Sequence, residues 1–146
     1  MSSNPNLVIW SNTYSVGIKL IDDQHKELLD LVNDMYNHVN NDDEAAERAY
    51  FQGVIKKTAD YVKIHFATEE KIMKATNFKG YSGHKLIHDS FIMSVVDIIN
   101  QFESGKRVPL ISFTNFIKDW ILTHIAIMDK QYFEHLLKVM PRKSAA

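Results

Sequence analysis

Seven side chains in this 146-residue chain share one chemistry: the imidazoles of His25, His65, His84, His88 and His124, and the carboxylates of Glu69 and Asp129. Imidazole nitrogens and carboxylate oxygens together suit first-row divalent metals. Asp129 raises the question most sharply. It closes the stretch Trp120-Ile-Leu-Thr-His124-Ile-Ala-Ile-Met-Asp129, which is almost wholly apolar, free of Gly and Pro, and too long for a strand. Such a run reads as a buried helix. A buried carboxylate is costly unless it is paired or bound to metal, so the rest of the chain must hold what compensates it.

Spacing points to a metal. His65 and Glu69 are four residues apart, as are His84 and His88, so each pair shares one helix face. A lone histidine on an apolar stripe is usually a satisfied core residue, and one His-x-x-x-His pair is a weak signal. Seven such groups drawn from four helices are a stronger one. Seven ligands are too many for one ion and suit two. Nitrogen-rich ligation with two carboxylates suits iron, although zinc and manganese also accept these ligand types. Two iron(II) ions carry four positive charges; Glu69, Asp129 and a bridging hydroxide offset three of them. The chain lacks the Glu-x-x-His motifs of ferritin-like oxidases. A neutral, His-rich shell favours reversible exchange over high-valent oxidation.

The elements that must position these groups are helices. After an extended N-terminal arm (1–21), stripes of helical period predict helices over about 22–39, 43–75, 82–104 and 109–137. Asp22 or Asp23, then Asp42 or Asp43, then Ser82 are the expected caps. Pro109 suits a first helical position. Gly17 marks a bend in the arm, and Ser104-Gly105 a helix end. Four long helices with short links fit an all-α, up-down-up-down antiparallel four-helix bundle spanning residues 1–146 as one domain. That topology brings the seven groups to one level, towards one end. His38 and His135 fall outside the pattern and are read as surface residues. The tail from Pro141 is expected to fray.

Composition narrows the function classes. A formal net charge of −1 with no basic stripe argues against nucleic acid. The absence of cysteine excludes disulfides, thiolate ligands and iron–sulfur clusters. No apolar run reaches membrane-spanning length, so no membrane insertion is expected. Met1-Ser-Ser-Asn-Pro lacks the features of a signal peptide, which makes a cytoplasmic location the expectation.

Trp10…Tyr14-x-Val-Gly17-Ile…Ile21-Asp22-x-Gln24-His25, then His65-Phe66-x-x-Glu69-Glu70, His84-x-x-x-His88 and Trp120-x-x-x-His124-Ile125-x-x-x-Asp129 together resemble the hemerythrin family in its single-domain bacterial form. The resemblance implies a non-haem di-iron centre. His84, His88 and His124 would bind one iron, and His25 and His65 the other. Glu69 and Asp129 would bridge both, with an oxo or hydroxo bridge completing the core. The iron with two histidines would keep an open position for dioxygen. Phe66, Trp120, Ile121 and Ile125 would wall the ligand pocket; isoleucine stands at 121 where the family often has leucine.

The leading functional expectation is therefore reversible dioxygen binding, as a carrier, store or local supplier, and not an enzyme. An oxygen-consuming partner enzyme is left unspecified. Two rivals are a di-iron enzyme that reduces peroxide or oxidises a small molecule, and an oxygen or redox sensor domain. One local question stays open to the structure. His124 and Asp129 are five apart, which in a regular α-helix separates them by roughly 140°. The expectation is a regular helix whose two side chains swing inward from opposite flanks, rather than a π-type turn.

Overall fold

The computed structural model describes residues 6–40 and 42–139. The readings made above for residues 1–5 and for the tail from 141 lie outside them, as does Asn41 in the first polar turn. Four rods form the bundle: α1 (Lys19–Asn37), α2 (Glu44–Ala75), α3 (Tyr81–Glu103), and a composite fourth made of α4 (Leu110–Thr123), a π turn (His124–Asp129) and α5 (Lys130–Val139). There is no strand among the described residues. α2 packs on both α1 and α3, and α1 packs on α4. The fold is an all-α four-helix bundle. No described helix is long and apolar enough to cross a membrane.

Local chemistry sets the helix ends. The Asp43 carboxylate accepts the Ala46 N–H at 3.0 Å and caps α2. α2 ends at Thr76, and Asn77 takes a left-handed φ of 53°, a conformation asparagine tolerates well. Gly105, just past α3, has φ 91°. Two expected caps and one expected first helical residue are corrected. α1 starts at Lys19, so Asp22 lies in its first turn; its carboxylate instead accepts Ser15 Oγ at 2.6 Å and Val16 N–H at 2.8 Å. Asp22 thus pins the arm, while Asp23 pairs with exposed Lys19. α3 begins at Tyr81 with Gly80 as the cap residue, which leaves Ser82 inside the helix. Pro109 is the extended residue just before α4 rather than its first member.

The arm is not wholly extended, since Asn12–Tyr14 form a short 3-10 turn. It is tied to α1 twice at one point: Val8 N–H donates to Asn33 Oδ1 at 2.9 Å, and Asn33 Nδ2 donates to Val8 O at 2.8 Å. Gly17 bends the arm at φ 79°, where an added Cβ would lie 3.3 Å from the Leu137 side chain.

Two apolar clusters fill the interior. The larger runs along the bundle and includes Leu28, Val32, Phe51, Val62, Phe91, Phe113, Ile117 and Ile125. The smaller plugs one end and consists of Val16, Ile21, Met73, Tyr132, Phe133 and Leu136. Each fully buried side chain of this kind contributes roughly 1.5–3 kcal/mol. In chain order His25, Glu69 and Asp129 fall between residues of the two clusters, and His65 and His124 sit at the edge of the larger one beside Phe66 and Ile125, so packing on both sides holds a polar layer in place.

Candidate metal centre

All seven candidate ligands are buried; the most exposed, His84, retains 5% of its surface. α1 supplies His25, α2 supplies His65 and Glu69, α3 supplies His84 and His88, and the π turn supplies His124 and Asp129. Their donor atoms form two sets, in each of which all atoms lie within 4.8 Å of one another. One set is Glu69, His84, His88, His124 and Asp129; the other is His25, His65, Glu69 and Asp129. The two carboxylates belong to both.

The two Asp129 oxygens divide between the sets, and one Glu69 oxygen faces both. Asp129 Oδ2 lies 3.0 Å from His25 Nε2, while Oδ1 lies 2.9 Å from His124 Nε2 and 3.2 Å from His84 Nε2. Glu69 Oε1 sits 3.5 Å from His65 Nε2 and 3.3 Å from His88 Nε2. The imidazoles also face one another: His88 and His124 approach to 2.9 Å between Nε2 atoms, His84 and His124 to 3.2 Å, and His25 and His65 to 3.1 Å.

The expected regular helix through His124–Asp129 is corrected: those six residues form a single π turn. Side-chain reach alone was expected to close the 140° gap. The wider i→i+5 turn moves residues five apart nearer one face, and both side chains enter the same buried layer.

Hydrogen bonding fixes two tautomers. Thr68 Oγ1 donates to Ile64 O and accepts from Gln24 Nε2, which turns Gln24 Oε1 towards His65. His65 Nδ1 donates to that oxygen at 2.6 Å. His88 Nδ1 donates to Glu70 Oε2 at 2.9 Å. In neutral rings this leaves the Nε2 atoms of His65 and His88 as lone pairs aimed into the layer. Gln24 and Glu70 were legible only as neighbours of ligands; no spacing rule picks out the partner of a ring nitrogen.

The protein atoms alone do not satisfy this layer. His25 Nδ1, His124 Nδ1, Asp129 Oδ1 and both Glu69 oxygens are buried with no hydrogen-bond partner. Either tautomer of neutral His124 leaves its Nδ1 unpartnered. Most buried polar groups are bonded, so three unpartnered carboxylate oxygens in one layer fit a site that could hold a cation. The electrostatics agree. Burial, reinforced by the Asp129 charge, pushes the Glu69 carboxyl well above its ordinary range. Burial also pushes Asp129 up, but His124, His25 and His84 outweigh it and hold Asp129 well below. Burial and crowding by His25 lower His65 to about 3, and burial with His124 and His84 lowers His88 to about 2. These two imidazoles are thus neutral, as metal ligation requires.

The expected wall residues stand together. Phe66, Trp120, Ile121 and Ile125 line a small apolar pocket of ≈ 10 Å³ that touches His65 and His124. Leu28, Val62 and Phe91 complete it and were not among the expected wall residues. Phe66 stacks on His88 at 3.7 Å and Trp120 on His124 at 4.5 Å, which fixes the planes of both imidazoles. His38 and His135 are exposed and belong to neither ligand set.

Comparison with known proteins gives one family. The model of the hemerythrin HHE cation binding domain matches residues 16–136. The bacteriohemerythrin of Stenotrophomonas maltophilia (strain R551-3) is 28% identical over 130 residues, covering 89% of this chain and 82% of that protein. The myohemerythrin of Sipunculus nudus is 29% identical over 129 residues, covering 88% of this chain and 92% of its own. A crystal structure of wild-type hemerythrin superposes with a TM-score of 0.78 at 27% identity, over 88% of this chain and 96% of that one.

Proposed function

The chain belongs to the hemerythrin family, and from that membership and the two shared ligand sets we propose that it binds dioxygen reversibly at a di-iron centre. His84, His88 and His124 would hold one iron, His25 and His65 the other, and Glu69 and Asp129 both, with an oxo or hydroxo bridge. The observation that carries the reading is the pair of buried carboxylates common to both sets, with three of their four oxygens free of hydrogen bonds. The iron pair, when bound, supplies the electrons for reversible oxygen binding.

The chain's own groups do the rest. Gln24 and Glu70 hold His65 and His88 in the tautomers that ligation needs. Asp129 and Glu69, themselves fully buried, offset charge inside a layer that is almost closed to water. Three histidines against two leave one half short of a protein ligand, and an open position is what separates a reactive site from a closed structural one. The apolar pocket beside His65 has room for about one small molecule. Phe66, Ile121 and Ile125 offer no donor or acceptor there, so these three side chains neither pass a proton nor hold an anion. This favours release of the gas unchanged over its reduction.

The role that follows is carriage, storage or local supply within the cytoplasm, by residues 1–146 acting as one unit, rather than catalysis. Iron-loaded, deoxygenated protein is exposed to oxygen and then purged, with the visible spectrum followed throughout. Return of the colourless form over many cycles supports the carrier reading. Irreversible oxidation with turnover of an added reductant would replace it with an enzyme.

A further inference from the structure

We propose that Gln24 and Glu70 are positioning residues that give the two halves of the centre unequal donor strength, Glu70 acting through His88 and Gln24 through His65. The inference rests on the di-iron reading above and goes beyond it, since that reading treats the two halves as differing only in ligand number.

The geometry is matched, and the chemistry is not. Gln24 reaches from α1 to a histidine of α2, and Glu70 from α2 to a histidine of α3, each meeting the ring nitrogen remote from the layer. Each half therefore has one histidine oriented from a neighbouring helix. His25 and His124 have remote nitrogens with no partner at all. The three-histidine half receives a carboxylate and the two-histidine half receives a neutral amide. A carboxylate polarises the imidazole N–H more strongly, which makes the opposite nitrogen a stronger donor, and adds a negative charge nearby. Gln24 cannot do this, and Thr68 locks its amide in the accepting orientation.

The consequence is directional. The iron of the three-histidine half is held more tightly and its ferric state is favoured. The iron of the two-histidine half is the weaker bound, and it is the half whose coordination must stay open. Charge placed one residue beyond the ligands thus adds to the inequality that ligand count creates.

Four variants test this: Glu70→Gln, Glu70→Ala, Gln24→Glu and Gln24→Ala. Three quantities are read on each: iron affinity by competition with a calibrated chelator, the order of release of the two ions, and the midpoint potential by reductive titration. Glu70→Gln keeps an acceptor but removes the charge. It should weaken the tighter site by roughly 10- to 100-fold, the usual range for such partners, and raise the potential. Gln24→Glu should do the reverse at the weaker site, so that the two ions leave closer together. Overturning results are Glu70→Gln equal to wild type while Glu70→Ala falls, which would make the contact one of orientation alone, or Gln24→Glu without effect on release order. If Glu70→Ala fails to fold, Gln24→Glu and Glu70→Gln still decide. Wild type is the control: two irons bound and oxygen cycling intact, with unmoved variants, sinks this inference alone. Wild type that takes no iron pair sinks the reading beneath it.

Discussion

α2 buries two glutamates, 22 positions apart, and they are handled in opposite ways. Glu47 lies near the far end of the bundle, 8% exposed. One of its oxygens accepts Asn40 N–H at 2.8 Å and the other accepts Leu110 N–H at 3.0 Å. It stitches the α1–α2 turn to the start of α4, and both oxygens are satisfied by backbone. Glu69 is fully buried, and neither oxygen has a hydrogen-bond partner. Five imidazoles surround its layer, and none of them donates to it. The same residue type on the same helix is a structural clamp in one place and the proposed metal ligand in the other. Burial alone does not distinguish them; the list of partners does. A cleft of ≈ 510 Å³ beside Glu47, lined also by Arg48, Phe51 and Arg107, belongs to the clamp end and includes none of the seven candidate ligands.

The largest effect should separate the two glutamates by metal content. Glu69→Ala is expected to lose at least one iron per chain, because the proposed bridge serves both ions, whereas Glu47→Ala should keep wild-type iron. Elemental analysis of purified protein reads both. Two tightly bound irons in the Glu69 variant would break the contrast.

Acid is the second lever. His65 and His88 titrate near 6.5 when unfolded but are lowered to about 3 and about 2 in the fold. From about pH 6.5 downward the unfolded chain therefore binds protons that the native layer refuses. Stability must fall with pH over that window and stop changing from this source only below the folded values. Iron, which needs neutral imidazoles, should be released on the same side. Denaturant unfolding of metal-free protein against pH should show this slope. A flat profile between about pH 6.5 and pH 4 would remove the buried neutral histidines from the account.

Stability gives the third test. Glu47→Ala strips two backbone N–H groups of a charged acceptor, and should cost about 2–4 kcal/mol by denaturant unfolding of the metal-free protein. A loss below about 0.5 kcal/mol would mean that Glu47 clamps nothing.

The smallest effect has the opposite sign. Because its folded carboxyl is held well above the usual range by burial and Asp129, Glu69 penalises the metal-free fold increasingly as pH rises past its unfolded value. Metal-free Glu69→Gln should therefore melt a few degrees above metal-free wild type at pH 8 and match it at pH 4. A lower melting point at pH 8 would show that Glu69 has a protein partner after all.

Much of this was legible before any coordinates. Helical period placed the rods, since an apolar stripe must find a core, and antiparallel connectivity alone brought His25, His65, His84, His88, His124 and Asp129 to one level. Glu69 stood out by its spacing from His65. The misses share a physical origin. Ser82 and Asp22 carry good capping side chains, yet Gly80 and the arm decide where those helices begin, and such choices depend on contacts far along the chain. The partners of Gln24 and Glu70 lie on other helices, where no local pattern points. The π turn leaves no mark in residue type, because apolar residues around His124 suit either helix. Only the demand that two ligands five apart enter one layer selects it.

That turn reaches beyond the metal. A helix that carries one residue more than its regular winding is offset in phase by about 100° from there on. Everything after Asp129 inherits the offset, including Tyr132, Phe133 and Leu136, which close the end plug against Val16, Ile21 and Met73. The turn works as a splice between two registers: upstream it serves the pocket wall, downstream the seal over the arm. Winding 124–129 as a regular helix with every residue kept would rotate those three side chains by about 100° away from the plug. Ligand placement and closure of the bundle are thus a single setting, and a lineage that straightened this helix would have to rebuild both together.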